Sequence, residues 1–122
     1  MRVFLADDQQ TVRSALRLLL EQESDVAIVG EVAEVKDLLA MIEATHPDLL
    51  LLDWELPGVP TRELMVALHT QCSALQVVAL SGRPEAREEA LEAGADAFVS
   101  KGDPPEKLLT TVDNCRNKPR AL

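Results

Sequence analysis

The sequence has no long hydrophobic run, no secretory signal and no pattern typical of a membrane protein. Its 122 residues contain no apolar stretch near the roughly 20 residues that a membrane-spanning helix needs. The apolar start of the chain gives way to Asp7 and Asp8, so it lacks the hydrophobic segment of a signal peptide. We therefore expect a soluble, cytoplasmic protein with no membrane partner.

Cysteine and basic residues are also scarce, which argues against a disulfide or cysteine metal site and against nucleic-acid binding. Cys72 and Cys115 lie far apart without metal-ligand spacing, so we expect reduced helix residues that pack as small hydrophobes. Lys and Arg total 12 against 21 Asp and Glu, a formal net charge of −9. Affinity for nucleic acid comes from clustered basic side chains, so direct binding by this domain is not expected. His46 and His69 are expected to be surface residues without a role.

Apolar runs alternate with amphipathic stretches along the chain, without repeats or low-complexity segments. The apolar runs predict strands at residues 2–6, 26–32, 48–52, 76–80 and 97–100. Apolar residues at helical spacing predict helices at residues 11–23, 35–42, 62–71, 85–93 and 105–115. Because parallel strands need crossover connections, this alternation predicts an α/β, doubly wound parallel sheet with helices on both faces. The tail at 117–122 loses the periodicity, as a frayed end or the start of a linker would.

Polar side chains stand at the carboxyl ends of four of the five predicted strands. They are Asp7 and Asp8 after the first strand, Asp53 after the third, Ser81 after the fourth and Lys101 after the fifth. In a doubly wound sheet these ends meet where ligands bind. Each residue alone is explained as a turn or cap residue, and Asp8 in particular as a cap of the first helix. The combination has no such explanation, so we expect one site.

Three carboxylates at this edge require a cation. At about 5 Å separation and an effective dielectric of about 20, each pair repels by roughly 3 kcal/mol. Lys101 alone cannot offset this repulsion, whereas Mg²⁺ suits an all-oxygen site with room for water. A carboxylate, a cation, a hydroxyl and a lysine are the parts of a phosphoryl-transfer site. We expect Asp53 to form an aspartyl phosphate, Ser81 to donate a hydrogen bond to it and Lys101 to neutralise its charge.

These residues resemble the receiver domain of two-component response regulators. The resemblance covers about residues 2–116. Its motifs are the Asp7-Asp8 pair, Asp53 before Leu56-Pro57-Gly58, Ser81-Gly82, and Phe98 three residues before Lys101. The segments most like the NarL/FixJ (LuxR-type) branch are Val12-Arg13, Val29-Gly30-Glu31 and Lys101-Gly102-Asp103. The resemblance implies a flavodoxin-like (βα)5 fold with strand order 2-1-3-4-5, and a receiver domain at residues 1–116.

The resemblance also implies a role for each residue around the phosphoryl group. Asp53 would be the phosphoacceptor. Mg²⁺ would be held by Asp8, Asp53 and the main-chain carbonyl of Glu55, with Asp7 acting largely through water. Lys101 would pair with the phosphoryl group. The chain would catalyse only its own Mg-dependent phosphorylation and dephosphorylation, and it would not otherwise be an enzyme.

Ser81 and Phe98 would form the switch of such a domain. The hydroxyl would move toward the phosphate and the aromatic ring would turn inward, which changes the face made by the fourth helix, fifth strand and fifth helix. The phosphoryl group would come from a sensor histidine kinase or a phosphotransfer protein, and the output would be regulation of transcription. Whether activation produces a homodimer stays open.

Four positions depart from the family or bear on its kinetics. Thr61 stands where many relatives have glycine, and Ser81 replaces the commoner threonine. Glu55 and Arg83 occupy positions that influence the lifetime of the phosphoryl group in the family. These departures keep open a binding module that works without phosphorylation.

Two further alternatives concern the rest of the machinery. A phosphatase with an aspartyl nucleophile needs a second acid two residues on, where Glu55 stands, but we find no cap domain to enclose a substrate. A helix-turn-helix output is typical of the NarL/FixJ branch, and none is found in these residues. A stand-alone receiver and a receiver separated from its DNA-binding domain are therefore both compatible with the sequence.

Overall fold

A computed structural model describes residues 1–117 as a five-stranded parallel sheet flanked by five helices. The strands are β1 (Arg2–Ala6), β2 (Ala27–Val32), β3 (Leu49–Asp53), β4 (Gln76–Ser81) and β5 (Ala97–Ser100). The helices are α1 (Gln10–Leu20), α2 (Leu38–Thr45), α3 (Thr61–Gln71), α4 (Arg87–Glu92) and α5 (Pro105–Arg116). Single 3₁₀ turns at Val35–Asp37 and Pro84–Ala86 lead into α2 and α4. The strand order is β2-β1-β3-β4-β5, which confirms the predicted fold class and topology.

The core has two layers, one on each face of the sheet. Leu50 and Leu52 of β3 belong to the layer under α2, α3 and α4, whereas Leu49 and Leu51 belong to the layer under α1 and α5. Every residue of β3 is buried, as a strand covered on both faces requires. The close packing around β3 fixes the position of its last residue, Asp53, at the carboxyl edge of the sheet.

Several element bounds differ from the predicted ones. The first helix ends at Leu20 rather than at residue 23, because the apolar stripe stops there and the chain turns with a Glu23 N–H to Leu20 carbonyl bond. The fourth helix starts as a 3₁₀ turn, and its α-helical part covers only Arg87–Glu92. β3 and β4 extend to include Asp53 and Ser81. Both polar residues are therefore held by sheet pairing and not by a loop.

The cysteines and histidines only partly match expectation. Both cysteines are free, and Cys115 is buried in α5, but Cys72 follows the last residue of α3 and is not a helix residue. His46 is exposed and closes α2 in the left-handed conformation, with φ 49°. His69 is half-buried, so the prediction of a surface residue holds only in part for this histidine. The reason is its packing beside the backbone of Gly94.

Two expectations concern the tail and the membrane. The tail predicted at 117–122 lies, beyond Asn117, outside the described residues. Within residues 1–117, no helix is long and apolar enough to span a bilayer.

Gly30 in β2 is required by the approach of Phe4 from β1. A Cβ atom at residue 30 would lie 2.6 Å from Cε2 of the fully buried Phe4 ring. Gly30→Ala should therefore lower the free energy of unfolding by about 1–3 kcal/mol, measured by urea denaturation. Gly82→Ala is the matched control, because no atom lies within 4 Å of its Cβ position. Equal losses in the two variants would contradict this explanation.

Candidate functional site

The sheet brings five of the predicted site residues to one edge. Asp7 and Asp8 follow β1, Asp53 ends β3, Ser81 ends β4 and Lys101 follows β5. These four strands are consecutive neighbours in the sheet. The register places Asp53 beside Leu80, and the Lys101 N–H donates to the Ser81 carbonyl at 2.8 Å. The site therefore lies at the carboxyl edge, where doubly wound sheets bind ligands.

Three carboxylates and one ammonium group lie close together in this site. One oxygen from each of Asp7, Asp8 and Asp53 lies within 4.8 Å of the others. Asp7 and Asp53 are only 1% and 2% exposed, whereas Asp8 is exposed. Nζ of Lys101 lies 2.8 Å from Oδ2 of Asp7 and 3.5 Å from Oδ1 of Asp53. A single lysine thus faces two buried carboxylates, and the negative charge is in excess.

The two acids of the β1–α1 loop have different surroundings. Oδ1 of Asp7 accepts the main-chain N–H of Gln9 at 2.9 Å, while Oδ2 faces Lys101. Arg13 of α1 donates to the main-chain carbonyl of Asp7 at 2.6 Å and so holds this loop in place. The N-cap of α1 is Gln9, without a side-chain cap, so Asp8 does not cap the helix. Asp8 is the acid that remains accessible to a ligand arriving from solvent.

Burial raises the pKa of Asp53 to about 6. The Glu55 N–H, which donates to Oδ1 at 3.0 Å, and the charge of Lys101 act in the opposite direction. The charge of Asp7 and a hydrogen bond with Asp8 add to the increase. Burial alone would lower the pKa of Lys101, but its hydrogen bond to Asp7 and the two buried carboxylates raise it above its ordinary value. The site is thus short of positive charge.

The donor set fits a hard divalent cation. Its three carboxylates offer only oxygen, the ligand type that Mg²⁺ and Ca²⁺ take in proteins. The raised pKa of Asp53 comes chiefly from burial of the carboxyl, and a cation bound beside it would favour the ionised form. An acidic cluster able to hold a metal ion is therefore present where the sequence predicted one.

The hydroxyl of Ser81 is held by the side chain of Glu55, a contact that the sequence pattern did not predict. Ser81 is fully buried, and its Oγ lies 2.9 and 3.0 Å from the two carboxylate oxygens of Glu55. The same Oγ accepts the main-chain N–H of Arg83 at 3.0 Å, and the Arg83 guanidinium pairs with Glu55 at 3.0 Å. The sequence offered one indication of this contact: the acidic Glu55 lies two residues after Asp53, and the basic Arg83 lies two residues after Ser81.

Two aromatic residues lie in the core layer beneath the site. Phe98, predicted as a switch residue, is buried in the same cluster as Trp54. Trp54 donates its indole N–H to Glu89 of α4 at 3.1 Å. Thr61, at the position where glycine was noted to be common, donates its hydroxyl to the Trp54 carbonyl at 2.7 Å. The sequence pattern gave no indication of either contact to Trp54.

A doubly wound domain with acids, a hydroxyl and a lysine at its carboxyl edge defines a class of signalling receiver. Residues 3–113 match the family described as the response regulator receiver domain. The chain therefore belongs to the receiver domain family of two-component response regulators, whose members are generally signalling switches rather than enzymes.

Related sequences and solved structures indicate which branch of the receiver family the chain resembles. The chain is 32% identical over 113 residues to the uncharacterized transcriptional regulatory protein YhcZ of Bacillus subtilis, covering 91% of this chain and 53% of YhcZ. It is 30% identical over 112 residues to the nitrate/nitrite response regulator NarL of Escherichia coli K12, covering 90% and 52%. A LuxR-family response regulator from Aurantimonas superposes with a TM-score of 0.88 at 27% identity, covering 99% and 88%. The predicted resemblance to the NarL/FixJ (LuxR-type) branch is confirmed. The chain spans about half the length of these two curated relatives.

Asp53→Asn should stabilise the metal-free protein at neutral pH. The folded pKa of about 6 exceeds the ordinary 3.8, so the native state loses stability as Asp53 ionises between about pH 4 and pH 6. The amide cannot ionise, so the variant should exceed the wild type by up to roughly 3 kcal/mol at pH 7 and by little at pH 4. Urea denaturation at both pH values in EDTA measures the difference. A variant that is less stable than the wild type at pH 7 would contradict the conclusion that the ionised Asp53 carboxylate destabilises the native state.

Proposed function

We propose that Asp53 accepts a phosphoryl group from a phosphohistidine of a sensor histidine kinase or phosphotransfer protein. The observation that carries this proposal is the position of Asp53: a buried carboxylate at the end of β3, 3.5 Å from Lys101 and grouped with two more acids. The carboxylate oxygen bonds to phosphorus as the bond from phosphorus to the donor imidazole breaks, and the electron pair leaves with the imidazole, which takes up a proton. No side chain has to act as a base, because the nucleophile is an ionised carboxylate.

The neighbouring groups support this transfer by position and charge. Oδ1 of Asp53 already accepts the Glu55 N–H and faces Lys101, which leaves Oδ2 for the bond to phosphorus. Lys101, held at 2.8 Å by Asp7, would place its charge on the phosphoryl oxygens. Mg²⁺, held by Asp8, Asp53 and the main-chain carbonyl of Glu55 with Asp7 acting largely through water, would neutralise charge on the transferred group.

Ser81 and Phe98 form the proposed switch. Ser81 has one hydroxyl proton, and here it is donated to Glu55. Bonding to a phosphoryl oxygen therefore requires that this proton change its acceptor. Glu55 binds Ser81 and Arg83 and so is poorly placed as the leaving-group acid of an aspartyl phosphatase, which supports a switch over that alternative. The change would reach the face of α4, β5 and α5.

We propose that residues 1–116 act as the receiver domain of a transcription regulator. YhcZ and DesR of Bacillus subtilis are named transcriptional regulatory proteins, and each is longer than this chain. The net charge of −9 does not favour DNA binding by the receiver itself.

Asp53→Asn should abolish phosphorylation of the chain by acetyl phosphate and Mg²⁺. An amide is too weak a nucleophile to replace the carboxylate, so a loss of at least about a hundredfold is expected. Intact mass spectrometry measures the added phosphoryl group. Asp37→Asn, at an exposed acid that is not among the acids of the site, is the matched control and should be labelled like the wild type. Labelling that persists in Asp53→Asn, or an unlabelled wild type, would refute the proposal.

Glu55→Ala should accelerate phosphorylation by small donors. The substitution frees the Ser81 hydroxyl and removes a negative charge near the incoming phosphate, while the main-chain groups of residue 55 remain. A gain of about three- to tenfold in the rate constant is expected from one hydrogen bond that need not be broken. Glu63→Ala, at an exposed acid of α3, is the control and should leave the rate unchanged. A slower Glu55→Ala variant would show that Glu55 assists the transfer instead.

A further inference from the structure

We infer that the hydrogen bond from the Trp54 indole to Glu89 is a second link from the phosphoacceptor to α4, separate from Ser81 and Phe98. The inference rests on the proposed phosphorylation of Asp53 and names how that event reaches one helix. Trp54 and Glu89 lie 35 residues apart and touch through a bond of 3.1 Å. Glu89 acts here as a positioning residue, since it is not among the acids of the site.

Trp54 is joined rigidly to the phosphoacceptor. It follows Asp53 directly, and its main-chain N–H donates to the Leu80 carbonyl at 2.7 Å. Its carbonyl accepts the hydroxyl of Thr61, and its side chain is only 4% exposed. A displacement of the Asp53 main chain therefore moves the indole as well, because the residue is held on both sides and packed.

α4 is held loosely by its apolar contacts. Its buried residue is Ala90, and Ala86 is the buried residue of the 3₁₀ turn before it. The large apolar residue of the helix, Leu91, is 36% exposed. Alanine methyl groups make few packing contacts, so they resist displacement of the helix only weakly. The directional hydrogen bond from Trp54 to Glu89 therefore has a large share in fixing the position of α4.

There is also room beside α4 for the helix to move. A cleft of about 360 Å³ separates it from α5 and is lined by Arg87, Leu91, Phe98 and Lys107 among others. A helix of six residues with small buried side chains can shift into such a space at low cost. The Trp54–Glu89 bond thus holds α4 in its unphosphorylated position, and movement of Trp54 releases or redirects it.

The test compares hydrogen exchange of the α4 amides with and without beryllofluoride and Mg²⁺, in four proteins. Glu89→Ala removes the acceptor, and Glu89→Gln keeps an acceptor but removes the charge. Glu88→Ala is the matched control at the neighbouring exposed acid of the same helix. Fluorine NMR measures uptake of beryllofluoride independently.

In Glu89→Ala, the α4 amides should exchange roughly two- to tenfold faster than in the wild type before beryllofluoride is added. Adding beryllofluoride should change the exchange rate of the α4 amides by less than half as much as in the wild type, while the variant still binds beryllofluoride. Glu89→Gln and Glu88→Ala should both behave like the wild type.

Two results would overturn the inference while leaving the phosphoacceptor intact. One is a Glu89→Ala variant that takes up beryllofluoride and shows the wild-type response at α4. The other is an equal loss in Glu88→Ala, which would show a general effect of charge on the helix. A wild-type protein that takes up no beryllofluoride would instead overturn both the proposed function and the link that rests on it.

Discussion

The structure of the site depends on a charge imbalance: two buried carboxylates, Asp7 and Asp53, face a single lysine. Burial follows from the sheet, because β3 is covered on both faces and carries Asp53 as its last residue. Desolvation then raises the pKa of that carboxyl to about 6, and the apo protein holds charge that favours either protons or a cation. An arrangement that is unfavourable for folding is thereby suited to binding metal and phosphate. The buried carboxylates of the site thus lower the stability of the folded protein, as the trade-off between stability and function leads one to expect.

The exposed side of the site is held by weaker contacts than the buried side. Glu55 and Arg83 are largely exposed, and an ion pair in that setting is screened by water and contributes little. The Ser81 hydroxyl is nevertheless fully buried and satisfied by Glu55. A phosphoryl group on Asp53 would offer the Ser81 hydroxyl proton a more strongly charged acceptor than Glu55.

The fold and the composition of the site were predictable because both depend on where apolar runs stop. A run of four leucines marks a buried parallel strand, and the acid that ends it must lie at the carboxyl edge. The contacts of Glu55 with Ser81 and of Trp54 with Glu89 span 26 and 35 residues, and no local pattern encodes them. They depend on side-chain rotamers and on the position of α4, which the packing of the whole domain determines. The end of α1 at Leu20 coincides with the end of its apolar stripe, and the polar residues after Leu20 lie outside the helix.

α4 is the element on which the two proposed routes from Asp53 would converge, and its composition suits this role. Ser81 ends β4 and Phe98 lies in β5, so the proposed movement of these residues would act on α4 from the sheet. Trp54, which directly follows β3, would act through its hydrogen bond to Glu89. Helices such as α3 are fixed by fully buried leucines and methionine, whose displacement would open cavities costing several kcal/mol. A short helix that buries alanine would open much smaller cavities on moving, so a single hydrogen bond has a larger share in fixing its position.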